Sequence, residues 1–174
     1  MKINFSPMSR NQTLLLNSKQ ISQRINRIAY QIYEDNYNEK EIIIIGIIQN
    51  GYLLAEKIQK ALNQICDIPT KLFELKIDKH NTVENEVTIS GSRDEMVGKS
   101  IVLVDDVLNS GKTLIYSMKA ILQTDTKKIR TVLLVDRDHR RYPILTDFVG
   151  MTLSTTLQEH ISVEFGKKDA VYLS

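Results

Sequence analysis

The chain has 174 residues, room for one α/β domain with a good core and little room for two. Its 23 Lys and Arg against 21 Asp and Glu leave a net charge of +2, which neither demands nor excludes nucleic acid as a partner. A single cysteine, Cys66, excludes an internal disulfide, MKINFSPMSR has no apolar signal core, and no apolar run approaches the roughly eighteen residues of a membrane span, so a soluble, cytoplasmic protein without a membrane partner is expected.

Residues 1–12 read as a polar arm. Ile21, Ile25, Ile28 and Ile32 then recur at helical spacing from Ser18 to Asn36, with Ser18 as the expected N-cap. Glu41 to Ile48 is a continuous β-branched run, the pattern of a strand buried on both faces. Gly51 closes the turn after it, and Leu54, Ile58, Leu62 and Ile65 mark the next helix. Shorter strands are expected at 70–77 and 86–89, around the polar stretch 78–85. A buried strand follows at 101–104, a helix through Leu114 to Leu122, and another buried strand at 129–135. The remainder alternates turns and short strands at 148–153, 161–165 and 170–173. Strand–helix alternation implies a parallel sheet wrapped by helices; no repeat or linker interrupts it, so 1–174 reads as one domain.

The most informative segment is SIVLVDDVLNSGKT, residues 100–113. An apolar strand delivers Asp105 and Asp106 to the carboxyl edge of a sheet, where α/β proteins bind ligands. Ser110, Gly111, Lys112 and Thr113 then open a helix whose first amides suit an anion. Acids beside an anion cradle repel a bare phosphate; they suit a ligand that carries hydroxyls or a metal next to its phosphate, such as a phosphorylated ribose. A nucleotide-triphosphate P-loop would need Gly where Asp106 stands, and around Gly98-Lys99-Ser100 it would need Gly where Arg93 stands. The plainer alternative is a strand end with two solvated acids.

VLVDDVLNSGKT resembles the phosphoribosyl-pyrophosphate signature of type I phosphoribosyltransferases. The resemblance implies that Asp105 and Asp106 hold the ribose hydroxyls, directly or through Mg²⁺, as the catalytic and metal-facing acids. It assigns Asn109, Ser110, Gly111, Lys112 and Thr113 to the 5′-phosphate. It also implies the family's fold, a twisted parallel sheet flanked by helices with a small hood built from the chain ends. Gln49, Asn50 and Gly51 fall where the family keeps its pyrophosphate loop, with Gln49 and Asn50 at positions that relatives often give to Lys or Arg.

LLVDRDHRRYPILTDFVGMTLST resembles the matching segment of the bifunctional pyrimidine-operon attenuator and uracil phosphoribosyltransferase proteins, as do Arg27-Ile28-Ala29 and the ending KDAVY. That resemblance places Asp136, Arg137, Phe148 and Val149 at the base. It implies transfer of phosphoribose from phosphoribosyl pyrophosphate to uracil, giving UMP and pyrophosphate, in a homo-oligomer (dimer or tetramer). Two alternatives stand beside it. One is a nucleotide-sensing regulator, with RNA as a partner, that keeps the ribose-phosphate site but turns over poorly. The other is a purine phosphoribosyltransferase, disfavoured because an amide at 109 cannot act as a base. The family's lid falls within 75–98, which looks short here and offers Lys76, Lys79, His80 and Arg93. In the attenuator proteins a basic face grips RNA; the corresponding residues here are Arg24, Arg27, Arg137, His139, Arg140 and Arg141, with a solvated loop as the plainer reading of the cluster. His80, His139 and His160 share no zinc-ligand spacing.

Overall fold

The computed structural model describes residues 12–77, 86–156 and 158–174. The expected arm, apart from Gln12, and Lys79 and His80 of the expected lid lie outside them. Thirteen elements follow in order: β1 (Thr13–Asn17), α1 (Ser18–Asn36), β2 (Ile42–Ile47), α2 (Asn50–Ile65), β3 (Thr70–Lys76), β4 (Thr88–Ile89), α3 (Arg93–Met96), β5 (Ser100–Leu108), α4 (Lys112–Ile121), β6 (Lys128–Asp136), β7 (Phe148–Thr152), β8 (Ile161–Glu164) and β9 (Ala170–Leu173).

Six strands form the main sheet in the order β4-β3-β2-β5-β6-β7, all parallel except β4. The isoleucine run of β2 is explained by its position. Ile42 and Ile44 enter the core under α1 and α2, while Ile43, Ile45 and Ile47 enter the core on the opposite face with Leu114 and Ile121 of α4. Successive strand residues point to opposite faces, so a strand covered on both sides must be apolar throughout. β5 divides likewise, Val102 and Val104 on one face and Ile101 and Leu103 on the other.

A second sheet, β1-β9-β8, joins the two ends of the chain. This is the expected hood, but its first strand escaped the sequence pattern. Thr13–Asn17 has no alternation to announce a strand, and it forms only because β9 pairs with it antiparallel. The N-cap of α1 is also one residue earlier than expected. Asn17 accepts the amide of Gln20, whose side chain accepts the Asn17 amide in return, a capping box. Ser18 instead donates its hydroxyl to the Asp169 carbonyl at 2.8 Å and so ties the helix to the hood.

The amino edge of the sheet is closed by charge. Arg130 of β6 donates twice to the Asp35 carboxylate, at 3.1 and 3.0 Å, and Lys128 approaches it at 2.8 Å. Burial pushes the Asp35 carboxyl up, but its bonds to Arg130 and Lys128 more than offset this, and the net effect lies below the ordinary 3.8. A carboxyl depressed by folding stabilises fully above its unfolded pKa and loses that contribution as pH falls through its folded pKa. Asp35→Asn is therefore expected to lower stability by about 1–3 kcal/mol at neutral pH. In urea titrations at stepped pH, that gap should close only below pH 3.8.

Candidate active site

The carboxyl ends of β2 and β5, the start of α4 and the first residues of β8 enclose a cleft of about 510 Å³. β5 supplies the acids. Asp105 is nearly buried, and its Oδ1 accepts the amide of Asp106 at 3.0 Å. Asp106 is half-buried and accepts from Asn50 Nδ2 at 3.0 Å. The same Asn50 nitrogen donates to the Val163 carbonyl at 2.8 Å. One amide thus joins the loop after β2, the acid pair and the hood strand.

Gly51 has a steric reason to be glycine: a Cβ there would lie 2.9 Å from the Val104 carbonyl and 3.0 Å from Asp105 Oδ1. Gln49, just before it, has φ of 69°, a left-handed value that a non-glycine residue holds only at a conformational cost. Both Gln49 and Asn50 line the cleft.

Opposite them the expected phosphate loop closes the floor. Gly111 takes φ of 84°, and the first intrahelical bond of α4 runs from Ile115 to the Gly111 carbonyl, so the amides of Thr113 and Leu114 precede it. Ser110 Oγ accepts the Lys112 amide at 3.3 Å, while the Ser110 carbonyl accepts the amides of Arg141 and Tyr142 at 2.9 and 3.1 Å. Asn109, Ser110, Gly111 and Thr113 line the cleft, but the Lys112 ammonium lies over the Tyr116 ring, 6.0 Å from its centroid. Among the described residues no Lys or Arg lines the cleft.

The four residues expected at the base are not brought to the cleft. Phe148 pairs with Val132 and Thr152 with Asp136, so Phe148 sits four residues short of the carboxyl edge, roughly 13 Å along the strand. Phe148 packs in the core beneath α1, and the Val149 carbonyl accepts from Arg27 at 2.6 Å. Asp136 is buried and paired with Arg140, also accepting the Asp138 amide at 2.9 Å. Arg137 is buried beside the cleft, not in its lining. The hood side of the cleft is lined instead by His160, Ile161, Ser162 and Val163. Three strand residues and the histidine before them form no motif in sequence, and only the fold of the hood brings them to the acids.

The basic residues are mostly engaged inside the chain. Arg27 caps the carbonyls of Val149 and Gly150, Arg140 holds Asp136, and the His139 ring meets the Thr155 carbonyl. Of the described lid residues, Arg93 bonds Gln123 and Lys76 pairs with Glu74.

Among the described residues no group of three or more metal-ligating side chains occurs. Mg²⁺ does not require one, since it commonly takes one or two carboxylates and completes its shell with substrate phosphates and water. Asp105 and Asp106, side by side in an open cleft, fit that mode.

Comparison with known proteins agrees with this geometry. Residues 11–168 match the phosphoribosyl transferase domain. The chain belongs to that family. Its members are pentosyltransferases, and its curated relatives include the bifunctional protein PyrR of Haemophilus ducreyi, 32% identical over 92% of this chain and 93% of that one. The bifunctional protein pyrR of Enterococcus faecalis is 34% identical, covering 86% and 87%. Among solved structures, the hypoxanthine phosphoribosyltransferase of Trypanosoma cruzi superposes with a TM-score of 0.70 at 18% identity, covering 80% of each chain. A hypoxanthine-guanine phosphoribosyltransferase of Bacillus anthracis gives 0.67 at 18%, covering 80% of this chain and 81% of that one. At such identities the structural likeness concerns the fold.

A side chain at Gly111 tests the loop of this phosphoribosyltransferase. Besides its positive φ, a Cβ would stand 2.7 Å from Ile144 Cγ2. Gly111→Ala is expected to destabilise the protein by about 1–3 kcal/mol. It should also weaken ribose 5-phosphate binding at least tenfold, as read by thermal denaturation and calorimetry.

Proposed function

We propose that the protein transfers the phosphoribosyl group of phosphoribosyl pyrophosphate to uracil, giving UMP and pyrophosphate. The observation that carries this reading is a single cleft lined by Asp105 and Asp106, by Asn109, Ser110, Gly111 and Thr113, and by Gln49 and Asn50. A ribose placed over the acids would donate its 2′- and 3′-hydroxyls to them, and its 5′-phosphate would meet amides at the start of α4. The leaving pyrophosphate would face the amides of 49–51, and the base would lie toward His160–Val163. The bond from C1′ to pyrophosphate oxygen breaks, its electron pair leaving with the pyrophosphate, as the bond from uracil N1 to C1′ forms, and the N1 proton passes to water. Charge grows on the leaving group, so the chain contributes alignment and fixed dipoles rather than a covalent step. Mg²⁺, held by Asp105 and Asp106 with substrate oxygens, would neutralise part of that charge.

Uracil rests on the resemblance to the attenuator family; Asn109 favours it over a purine because an amide cannot take a proton from the base. A second reading has its own support. With no Lys or Arg lining the cleft among the described residues, and an uncharged Asn50 in the pyrophosphate turn, the site suits one phosphate better than three. A nucleotide-sensing regulator, with RNA as its partner and a homo-oligomeric cytoplasmic state, fits that balance.

Purified protein with Mg²⁺, phosphoribosyl pyrophosphate and each base in turn separates these, followed by pyrophosphate release. UMP formation is the expected result. Tight UMP binding without turnover on any base would replace the enzyme by the sensor. Asp106→Asn should weaken UMP binding at least tenfold while leaving the unfolding midpoint within a few degrees, and unchanged calorimetric affinity would remove Asp106 from the ribose site.

A further inference from the structure

Arg137 is 8% exposed, yet its acceptors are all neutral oxygens. Nε donates to Thr155 Oγ1 at 3.0 Å. One terminal nitrogen donates to Asn109 Oδ1 at 2.7 Å, and the other to the carbonyls of Thr156 and Glu159 at 3.2 and 2.6 Å. A guanidinium has five N–H donors in a rigid fork, and this one distributes them between two places. Asn109 belongs to the phosphate loop. Thr155, Thr156 and Glu159 belong to the connection that leads directly into His160–Val163, the opposite wall of the cleft.

The base of the fork is fixed too, because the Arg137 amide donates to the Leu108 carbonyl at the end of β5, at 3.2 Å. The phosphate loop has other supports, namely the two amides on the Ser110 carbonyl and the packing of Ile144 on Gly111. The connection takes three of the fork's four hydrogen bonds and the loop one. His139 reaches the Thr155 carbonyl, and His160 pairs with Ser174 through two backbone bonds of 2.7 and 2.9 Å. Loss of the guanidinium should therefore fall on the wall and spare the loop. A buried charge left without these bonds would be costly, so the fork holds its partners at one spacing.

We propose that Arg137 is a positioning residue that sets the distance between the phosphate loop and the His160–Val163 wall, and so controls affinity for the base half of a bound nucleotide. It does this without touching the base. The proposal deepens the functional reading above and rests on it for the identity of the ligand.

The test uses the full chain and two ligands, ribose 5-phosphate and UMP, titrated calorimetrically against wild type, Arg137→Gln, Arg137→Lys and Thr155→Val. Displacing a positioning group by a fraction of an ångström commonly changes binding or rate by one to two orders of magnitude. Arg137→Gln is expected to weaken UMP at least tenfold, with ribose 5-phosphate changed by less than about threefold. An ammonium supplies the charge without the fork, so Arg137→Lys should leave most of the UMP deficit in place. Thr155→Val, nearly isosteric and folded even if the arginine variants are not, should show the same split at smaller amplitude. Hydrogen exchange without ligand gives an independent reading: Arg137→Gln should raise exchange at 158–163 and leave 110–114 protected. Equal losses for both ligands, full rescue by Lys, no effect of Thr155→Val on UMP, or unchanged exchange at 158–163 would each overturn the proposal. If wild type binds ribose 5-phosphate but not UMP, the uracil reading fails while the exchange result still decides the role of Arg137.

Discussion

The site depends on β5 being paired in parallel on both edges, with β2 on one side and β6 on the other, while its two faces are buried against helices. Such a strand cannot rotate or slip, because a shift of one residue would exchange its two buried faces. Its carboxyl end is the one place where polar side chains can emerge. Asp105 and Asp106 stand there, and Asp105 is stabilised in near burial by the adjacent amide. Both other active surfaces are placed relative to this end. Gly51 packs its backbone on Val104 and Asp105, and Arg137 hangs by its own amide from Leu108.

Around the acids, hydrogen bonds from amides and one guanidinium do the aligning. Asn50 ties the loop after β2 to Asp106 and to Val163, the Ser110 carbonyl gathers two amides, and Asn109 meets the fork of Arg137. Positive charge is kept nearby but is directed elsewhere: Lys112 lies on Tyr116, Arg140 on Asp136 and Arg27 on the carbonyls of β7. A free anion therefore meets helix amides and two carboxylates, an environment that discriminates in favour of a phosphate carried on a hydroxyl-bearing sugar. In the proposed reading that balance suits a sugar phosphate, and turnover would draw on a divalent cation brought with the substrate.

The hood gives the cleft its second wall. Its three strands come from opposite ends of the chain, and it is joined to the main body by Ser18 to the Asp169 carbonyl, Lys57 to Asp169, and Asn50 to the Val163 carbonyl. Beneath these polar links, Leu16, Ile161, Val163 and Val171 of the hood share one apolar core with α1, α2, β2, β5 and β6.

The elements with a strong period were legible in the residues themselves. The helix of Ile21, Ile25, Ile28 and Ile32 and the unbroken Ile42–Ile47 strand follow from packing that any water-soluble chain with those patterns must satisfy. The acid pair and the loop after it were equally plain, because close chemistry was written in adjacent residues. β1 was not, since a short apolar strand acquires its state only from the partner that pairs with it. Phe148 and Val149 looked like a wall of the base site, but register carried them to the amino half of β7, and His160–Val163 took the place beside the cleft. What the sequence by itself determined was therefore the local matter of period, burial and contiguous motif. Which distant residues face the acids was decided by strand register and by the hood's return to the sheet, because those depend on pairings between segments that have no contact along the chain.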